Sequence, residues 1–378
     1  MRILYILPRT VDAVLQNTTE NEIARAIGLR GHHISTVLAF VSRKIELDGF
    51  SSAVYVHTPG RSLWSRLRFH WTMLREMIRF DGNVIFLNHG GAHLVPLAQL
   101  ARVGRKKVVY IVDVRSVPVE VGRSWRSMVT VARYRLGLLV ANWLCDGLTV
   151  ITPMLAETLE SKVRKLSGHI GYWSSGVNLD QFNPAGPTLR RELGLAGRKV
   201  IIYHGDLSPN RGIQGVVRAV DILRQEIPHL VFLIVGDGNG KMELEKLVES
   251  LGLESHVRFV GRVPHEKIPS YLRTADAGIL PFPNILWWAV SSPIKLMEYL
   301  AIGLPVIATD IAAIRNVTDQ TGGAVLASDN SPESLAEAIR AFHLNGCPSV
   351  ARSVLEDTIS WDTQAKQLLH YMGTVSNS

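Results

Sequence analysis

Cysteine is scarce in this chain: Cys145 and Cys347 are the only two in 378 residues. Two thiols cannot staple a small scaffold, so the fold must rest on buried apolar area, and a reducing compartment fits. With the scattered histidines they also give no zinc-ligand spacing. No Asp-x-Asp occurs anywhere. No charge-free apolar run reaches the ~18 residues of a spanning helix. The opening MRILYILPRT is too short an apolar run for a signal peptide and reads as a buried first strand. Acid is scarce in one half only. Residues 1–180 hold 23 Lys+Arg against 13 Asp+Glu, a net of +10, and the remainder holds 18 against 20. Nucleic acid, an anionic membrane face or an anionic substrate each accommodates that excess.

What is present points to a globular chain. Apolar residues make up 47% and charged residues 20%, and the length suits two domains of ~150 residues or slightly more. Strand-like runs at 2–7, 33–40, 54–57, 84–88, 107–112 and 147–151 alternate with amphipathic stretches such as 21–30. The pattern restarts at 199–204, with strands at 230–235, 256–260, 277–281 and 305–308. Helices are expected at 213–226, 241–251, 268–274 and 293–302. Such alternation predicts an α/β chain of two doubly wound parallel sheets, joined near the Pro- and Gly-rich tract 182–187. Ligands of such sheets sit beyond the carboxyl ends of the strands.

Three segments there carry chemistry. Ser292 suits an N-cap and Pro293 a first helical position, so Ser292, Pro293 and Ile294 open a helix whose free N–H groups suit an anion. Lys295 and Glu298, three apart, share a face of that helix: Lys295 for phosphate, Glu298 for ribose hydroxyls. An ordinary surface ion pair fits the same spacing. Gly205, Asp206 and the loop to Arg211-Gly212 follow a strand, and Arg211 can fork onto phosphate. A plain strand-to-helix turn with an exposed Arg fits as well. Gly236, Gly238 and Gly240 resemble part of a dinucleotide fingerprint, but no acidic residue closes a new strand ~20 residues on, and a tight turn explains them equally.

Taken together, these segments resemble the retaining GT4-like glycosyltransferases of GT-B fold, over roughly residues 174–372. Ser175-Gly176-Val177-Asn178 with Phe182 and Pro184, the Gly205 to Gly212 loop, Ile234 to Gly238, Val257 to Gly261 and Ala275-Asp276-Ala277 follow in that family's order. Ser292-Pro293-Ile294-Lys295 through Glu298-Tyr299 to Pro305-Val306-Ile307-Ala308 is close to its Ser-Pro-x-Lys-x-x-Glu-Tyr pattern. Over 1–173 the resemblance is thinner: Leu29-Arg30-Gly31-His32 is similar to the family's helix end, and residues 8–18 lack the usual loop glycines. Val290 stands where the first Glu of a Glu-x7-Glu motif is usual, and Asp206 where an Arg often lies.

The resemblance implies residues 1–183 as an acceptor-binding domain, 184–360 as a nucleotide-sugar domain and 361–378 as a helix crossing back to the first, with a cleft between the two domains. It implies retaining transfer from a nucleotide-diphosphate sugar (UDP favoured) to a lipid-linked saccharide in bacterial cell-surface polysaccharide synthesis. The sugar nucleotide is a substrate, no cofactor is expected, and no metal either, given the missing Asp-x-Asp. Arg211, Lys295 and Glu298 are the expected catalytic groups with Asp113. Gly205, Asp206, Gly236, Gly238, Gly261, Arg262, Val263 and Ser292 to Ile294 join them around the donor. His89, Asp113 and Arg115 are candidates for the acceptor, although strand-end ion pairing and a bare turn fit them too. A second reading, prompted by Val290, is a non-catalytic nucleotide-binding or partner subunit.

In the basic half, residues 61–80 place Trp64, Leu67, Trp71, Leu74 and Ile78 on one helical stripe edged by Arg61, Arg68, Arg75 and Arg79. Residues 123–144 combine Trp125 and Trp143 with Arg123, Arg126, Arg133 and Arg135. Trp and Arg around an apolar stripe suit an anionic membrane surface. A core-packed helix with solvated arginines fits too. No nucleic-acid recognition motif accompanies the charge. The expected location is cytoplasmic, peripheral on the inner face of the cell membrane.

Overall fold

A computed structural model describes residues 1–11, 19–41, 47–58, 62–118, 125–166 and 169–377, with the side chains of 9–11, 125 and 126 outside that description. Arg61 and Arg123 also lie outside it, as do 12–18 of the glycine-poor stretch after the first strand. The chain divides into two units, Met1–Ser175 with Trp361–Ser378, and Gly176–Ser360. The division precedes the junction expected at 183/184 because Val177, Leu179 and Phe182 are buried in the core of the second unit.

The first unit is built on seven parallel strands: β1 (Arg2–Val11), β2 (His33–Phe40), β3 (Ser52–His57), β4 (Val84–Asn88), β5 (Val109–Val114), β6 (Gly147–Val150) and β7 (Ile170–Tyr172). Their order is β3-β2-β1-β4-β5-β6-β7, so the winding reverses at the β1/β4 pair. Continuous burial of Ile3 to Leu7, of β4 and of β5 is what a parallel sheet covered on both faces requires. Helix α1 (Thr19–Leu29) shares a core with the final helix Trp361–Asn377, through Ile23, Ala24 and Ile27 against Trp361, Ala365 and Leu368. Helices α2 (Leu63–Arg79), α3 (Val95–Ala101) and α4 (Trp125–Leu144) lead into β4, β5 and β6, and α2 packs on α3 and α3 on α4.

The second unit has six parallel strands: β8 (Lys199–Asp206), β9 (Leu230–Asp237), β10 (Val257–Gly261), β11 (Ala277–Leu280), β12 (Val306–Thr309) and β13 (Ala324–Ala327). Their order is β10-β9-β8-β11-β12-β13, with the reversal at β8/β11. Helix Ile294–Ala301 carries the chain from β11 to β12. Tyr299, fully buried, fixes it: its ring lies where a side chain on Gly278 would be, its hydroxyl donates to the Ile202 carbonyl at 3.3 Å, and it accepts from the His204 N–H at 3.3 Å. β7 and β13 were not anticipated. Each has only three or four residues at a sheet edge, and β13 follows Gly322-Gly323, so neither shows a period.

Tyr371 closes one edge of the first sheet. Its hydroxyl donates to the His169 carbonyl (2.6 Å) and accepts from the Leu148 N–H (2.9 Å), and its ring lies against Gly147 and Gly171, where a Cβ would collide with it. Tyr371→Phe therefore strands both partners and should cost about 1–3 kcal/mol. The check is the urea midpoint, and an unchanged midpoint would show that water replaces the phenol at no cost.

Candidate functional site

The carboxyl ends of β8 and β9 in the second unit meet with no side chains between them. A Cβ on Gly236 would collide with the Gly205 carbonyl, and Cβ atoms on Gly238 and Gly240 would lie 2.6 and 2.5 Å from the Leu207 backbone. The Leu207 N–H donates to the Asp237 carbonyl (3.1 Å) and its carbonyl accepts from the Gly240 N–H (2.9 Å). This glycine cluster thus packs one loop on another, the tight-turn alternative of the two open in the sequence. Gly205 itself has φ +116°, and a Cβ there would overlap the Lys295 side chain, 2.8 Å from Nζ. Lys295 therefore lies across bare backbone at the end of β8.

Arg211 completes a cationic pair on the same loop. It ends the turn Pro209–Arg211, before Gly212 at φ +75°, where a Cβ would collide with the Pro281 carbonyl. Its guanidinium lies 4.5 Å over the Trp288 ring, a cation–π contact. Trp288 in turn stacks on Phe282 at 4.2 Å and donates its indole N–H to the Asn210 carbonyl (2.9 Å). Trp288 is thus a buried clamp on the Arg211 turn. The nearest carboxylate oxygen, on exposed Asp206, is 3.6 Å from Arg211 Nε, beyond a good hydrogen bond. Burial, reinforced by Arg211 and opposed by Glu298 and Asp206, pushes the Lys295 ammonium down to about 8.

Glu298 differs from its expected setting. It is only 5% exposed and forms no surface pair with Lys295. His204 Nε2 lies 3.1 Å from its Oε2 and His265 Nε2 3.4 Å from its Oε1. Gln181 donates to His265 Nδ1 (3.1 Å), which leaves the His265 proton on Nε2, facing Glu298. Burial raises the Glu298 carboxyl, but the two imidazoles more than offset it and hold it at about 2. Burial keeps His204 below the usual imidazole range, so the pair rests as carboxylate and neutral ring. His265 was missed in the sequence because it opens a three-residue turn with no motif around it.

The helix start is shifted by one residue from expectation. Pro293, extended at φ −76°, ψ 100°, occupies the capping position, its carbonyl accepts from the Leu296 N–H, and Ser292 precedes it. Gly261 has φ +85° with open space where its Cβ would be, Arg262 is exposed, and Val263 is half-buried. Val290 is 1% exposed at the end of the short helix Leu286–Ala289.

In the first unit, Asp113 has no exposure, so its carboxylate is not offered to an acceptor as expected. Oδ1 accepts from Thr149 (2.7 Å) and from the Trp173 indole (3.0 Å). Burial pushes its carboxyl up to about 6, against the pull of Arg115, Thr149 and Trp173. Arg115 donates to the Trp173 carbonyl (2.9 Å), with its guanidinium 3.7 Å over the Trp173 ring. The two residues brace Trp173. His89 lies at the end of β4, in the turn His89–Leu94. Among the described residues no group of three His, Cys, Asp or Glu could hold a metal ion.

The depressed Lys295 has a measurable consequence. A bound diphosphate favours its protonated form, so affinity is full below about 8 and is lost as pH rises towards the bound-state value. Titration of uridine diphosphate between pH 7 and 10 should show a decline approaching tenfold per unit. Lys295→Met should remove the slope, and a slope retained in that variant would assign it to another group.

Residues 187–354 match the model of the glycosyl transferases group 1. Over 187 residues the chain is 31% identical to the putative colanic acid biosynthesis glycosyl transferase WcaI of Escherichia coli, covering 48% of this chain and 45% of that protein. Over 259 residues it is 27% identical to a GDP-mannose-dependent alpha-(1-6)-phosphatidylinositol monomannoside mannosyltransferase of Mycobacterium tuberculosis, covering 65% and 66%. The chain thus spans about half to two thirds of these relatives. The structure of Anabaena HepE in complex with UDP matches 99% of this chain and all of that one, with TM-score 0.75 at 14% identity, a likeness of fold. The two parallel α/β units are those of a GT-B fold, and the second unit matches the GT4-like, group 1 glycosyl transferases.

Proposed function

We propose that the chain transfers a sugar, with retention, from a nucleotide-diphosphate sugar to a lipid-linked saccharide in cell-surface polysaccharide synthesis. The observation that carries this reading is Lys295 lying over Gly205 beside the clamped Arg211. Breaking the glycosidic bond puts negative charge on the leaving diphosphate, and two fixed cations with the N–H groups opening helix Ile294–Ala301 meet it without reorganising. A leaving phosphate on the attacked face can itself take the acceptor's proton, so a separate strong base is not needed. Glu298, flanked by His204 and His265, then accepts from the ribose hydroxyls. UDP is the first base to test, because HepE is seen with UDP, although the mycobacterial relative is named for GDP-mannose.

Glu298→Gln is a better probe than Glu298→Ala, since truncation would leave two imidazoles facing a buried void. It should lower kcat/KM for the donor by roughly 10–150-fold. Arg211→Ala should weaken nucleoside diphosphate far more than nucleoside. The assay is transfer from UDP-glucose or GDP-mannose to a polyprenyl-diphosphate-linked saccharide, with and without EDTA. Full activity in Glu298→Gln, or a strict divalent requirement, would refute this arrangement.

The acceptor side of the proposal places the first unit at the cytoplasmic face of an anionic bilayer. On α2 the core face is Phe69, Met73 and Met77, with Leu74, while Trp64 and Trp71 are 80% and 66% exposed. Leu63 and Leu67 are exposed beside them, edged by exposed Arg68, Arg75 and Arg79. A second exposed set, Leu139 and Trp143, lies on α4. No described helix is long and apolar enough to cross a membrane. Each Arg near an anionic surface contributes ~1 kcal/mol, and screening makes that salt-dependent. Wild type should co-sediment with phosphatidylglycerol vesicles at low salt, and an Arg68/Arg75/Arg79→Glu variant should not. Equal binding by the two would mean a solvated face.

A further inference from the structure

The winding of the first sheet reverses at β1/β4, and β4 runs straight into the turn His89–Leu94. A reversal of this kind is where an open parallel sheet binds ligands. A cavity of about 300 Å3 lies there, lined by His70 of α2, His89, Gly90 and His93 of the turn, and Arg133 and Leu136 of α4. α4 approaches closely because Gly137 has no side chain: a Cβ would lie 2.7 Å from the His89 carbonyl oxygen.

The chemistry of the lining has one sign. It offers three imidazoles and a guanidinium and, among the described residues, no carboxylate. His70 Nδ1 donates to the Arg66 carbonyl at 2.8 Å and His93 Nδ1 to the Gly90 carbonyl at 3.0 Å. A carbonyl only accepts, so both rings are held by Nδ1–H and keep Nε2 for another partner. The two rings are 5.1 Å apart. Burial, with His70 from α2 and Arg133 from α4, keeps His93 below the usual imidazole range. The fixed charge of the lining is thus the Arg133 guanidinium, and among the described lining residues no carboxylate answers it. The surroundings are apolar: Leu136 is 47% exposed, and Val129 and Leu139 on α4 and Leu67 and Trp71 on α2 are exposed nearby in the helical sequence.

We propose that this cavity holds the phosphoryl group of a phosphate-bearing amphiphile. Arg133, His70 and His93 meet the phosphoryl oxygens, and the hydrocarbon lies over Leu136 and the exposed faces of α2 and α4. The amphiphile rests on the lipid-linked acceptor reading above; the phosphate does not, because it follows from the lining alone.

The test is an imidazole 15N NMR titration of the full chain with inorganic pyrophosphate, farnesyl diphosphate and farnesol. It is run in wild type and in an Arg211→Ala/Lys295→Ala background that removes the other phosphate-binding cations. The His70 and His93 resonances should move in both proteins with the two diphosphates and not with farnesol. Farnesyl diphosphate should bind at least about tenfold tighter than pyrophosphate, and Arg133→Gln should weaken both by about tenfold or more. Equal affinities would overturn the amphiphile and leave a site for a soluble phosphate compound. Resonances unmoved by either diphosphate in wild type would overturn the site, whether or not Arg133→Gln folds. Shifts in a wild type that transfers no sugar from UDP-glucose or GDP-mannose would refute the proposed function and leave the pocket standing.

Discussion

Lys295 reaches the end of β8 only across the bare backbone of Gly205, and much of the second unit is arranged to permit that contact. Gly205 at φ +116° turns the strand end out of extended geometry, which a Cβ would both strain and obstruct. Gly236 must then be bare too, since the Gly205 carbonyl fills its Cβ position. Behind Lys295, Tyr299 ties helix Ile294–Ala301 to the Ile202 carbonyl and the His204 N–H of β8. The helix cannot slide along the sheet without breaking those bonds. The position of one ammonium is therefore set by three glycines and a phenol (Gly205, Gly236, Gly278, Tyr299), none of which needs to touch a ligand.

Charge in the same region is held by different means on each side. A buried carboxylate is normally paired with Arg or Lys, but Glu298 is met by two imidazoles, and Gln181 fixes the proton of one of them, His265, on Nε2. Neutral donors keep the carboxylate ionised without cancelling it. The cationic side shows the converse. Among the described residues Lys295 has no hydrogen-bonded carboxylate, and Arg211 rests on the Trp288 ring with exposed Asp206 as an ion-pair partner at 3.6 Å. Leaving those charges only partly neutralised costs stability and preserves a positive potential at the strand end.

Most strands and helices were legible because a buried parallel strand such as Val84–Asn88 is an apolar run with a polar end, and a helix such as Lys241–Leu251 is an amphipathic stretch closed by Gly252. The Ser-Pro-x-Lys-x-x-Glu spacing marked Lys295 and Glu298 because helix periodicity fixes which residues share a face. What side chains do at close quarters was not legible. Asp113 and Arg115 look like an exposed pair at a strand end, and only the packing of Trp173 makes them its brace. His265 stands far from Glu298 in sequence, and no local period reports a contact made through a loop. The stripe on α2 was readable as a pattern, but which arc faces the core depended on Phe69, Met73 and Met77 winning that face. That choice left Trp64 and Trp71 in solvent.

The two sheets obey one topological rule and give it different chemistry. Each reverses its winding beside its first strand, β1/β4 in one and β8/β11 in the other, so each leaves a crevice at its carboxyl edge that no crossover helix fills. In the second unit the crevice is floored by glycine backbone, which lets the aliphatic stem of Lys295 pass and brings its ammonium to the strand end. In the first unit Asn88 ends β4 and its side chain accepts from the Gly90 N–H at 3.1 Å, folding the chain into the tight turn that carries His89 and His93. Burial keeps the His93 imidazole below its usual range, so its charge follows the ligand rather than preceding it. The surplus of basic residues in the first half thus lies beside imidazoles whose charge can change, and the nearly balanced second half keeps Arg211 and Lys295 together at one strand end.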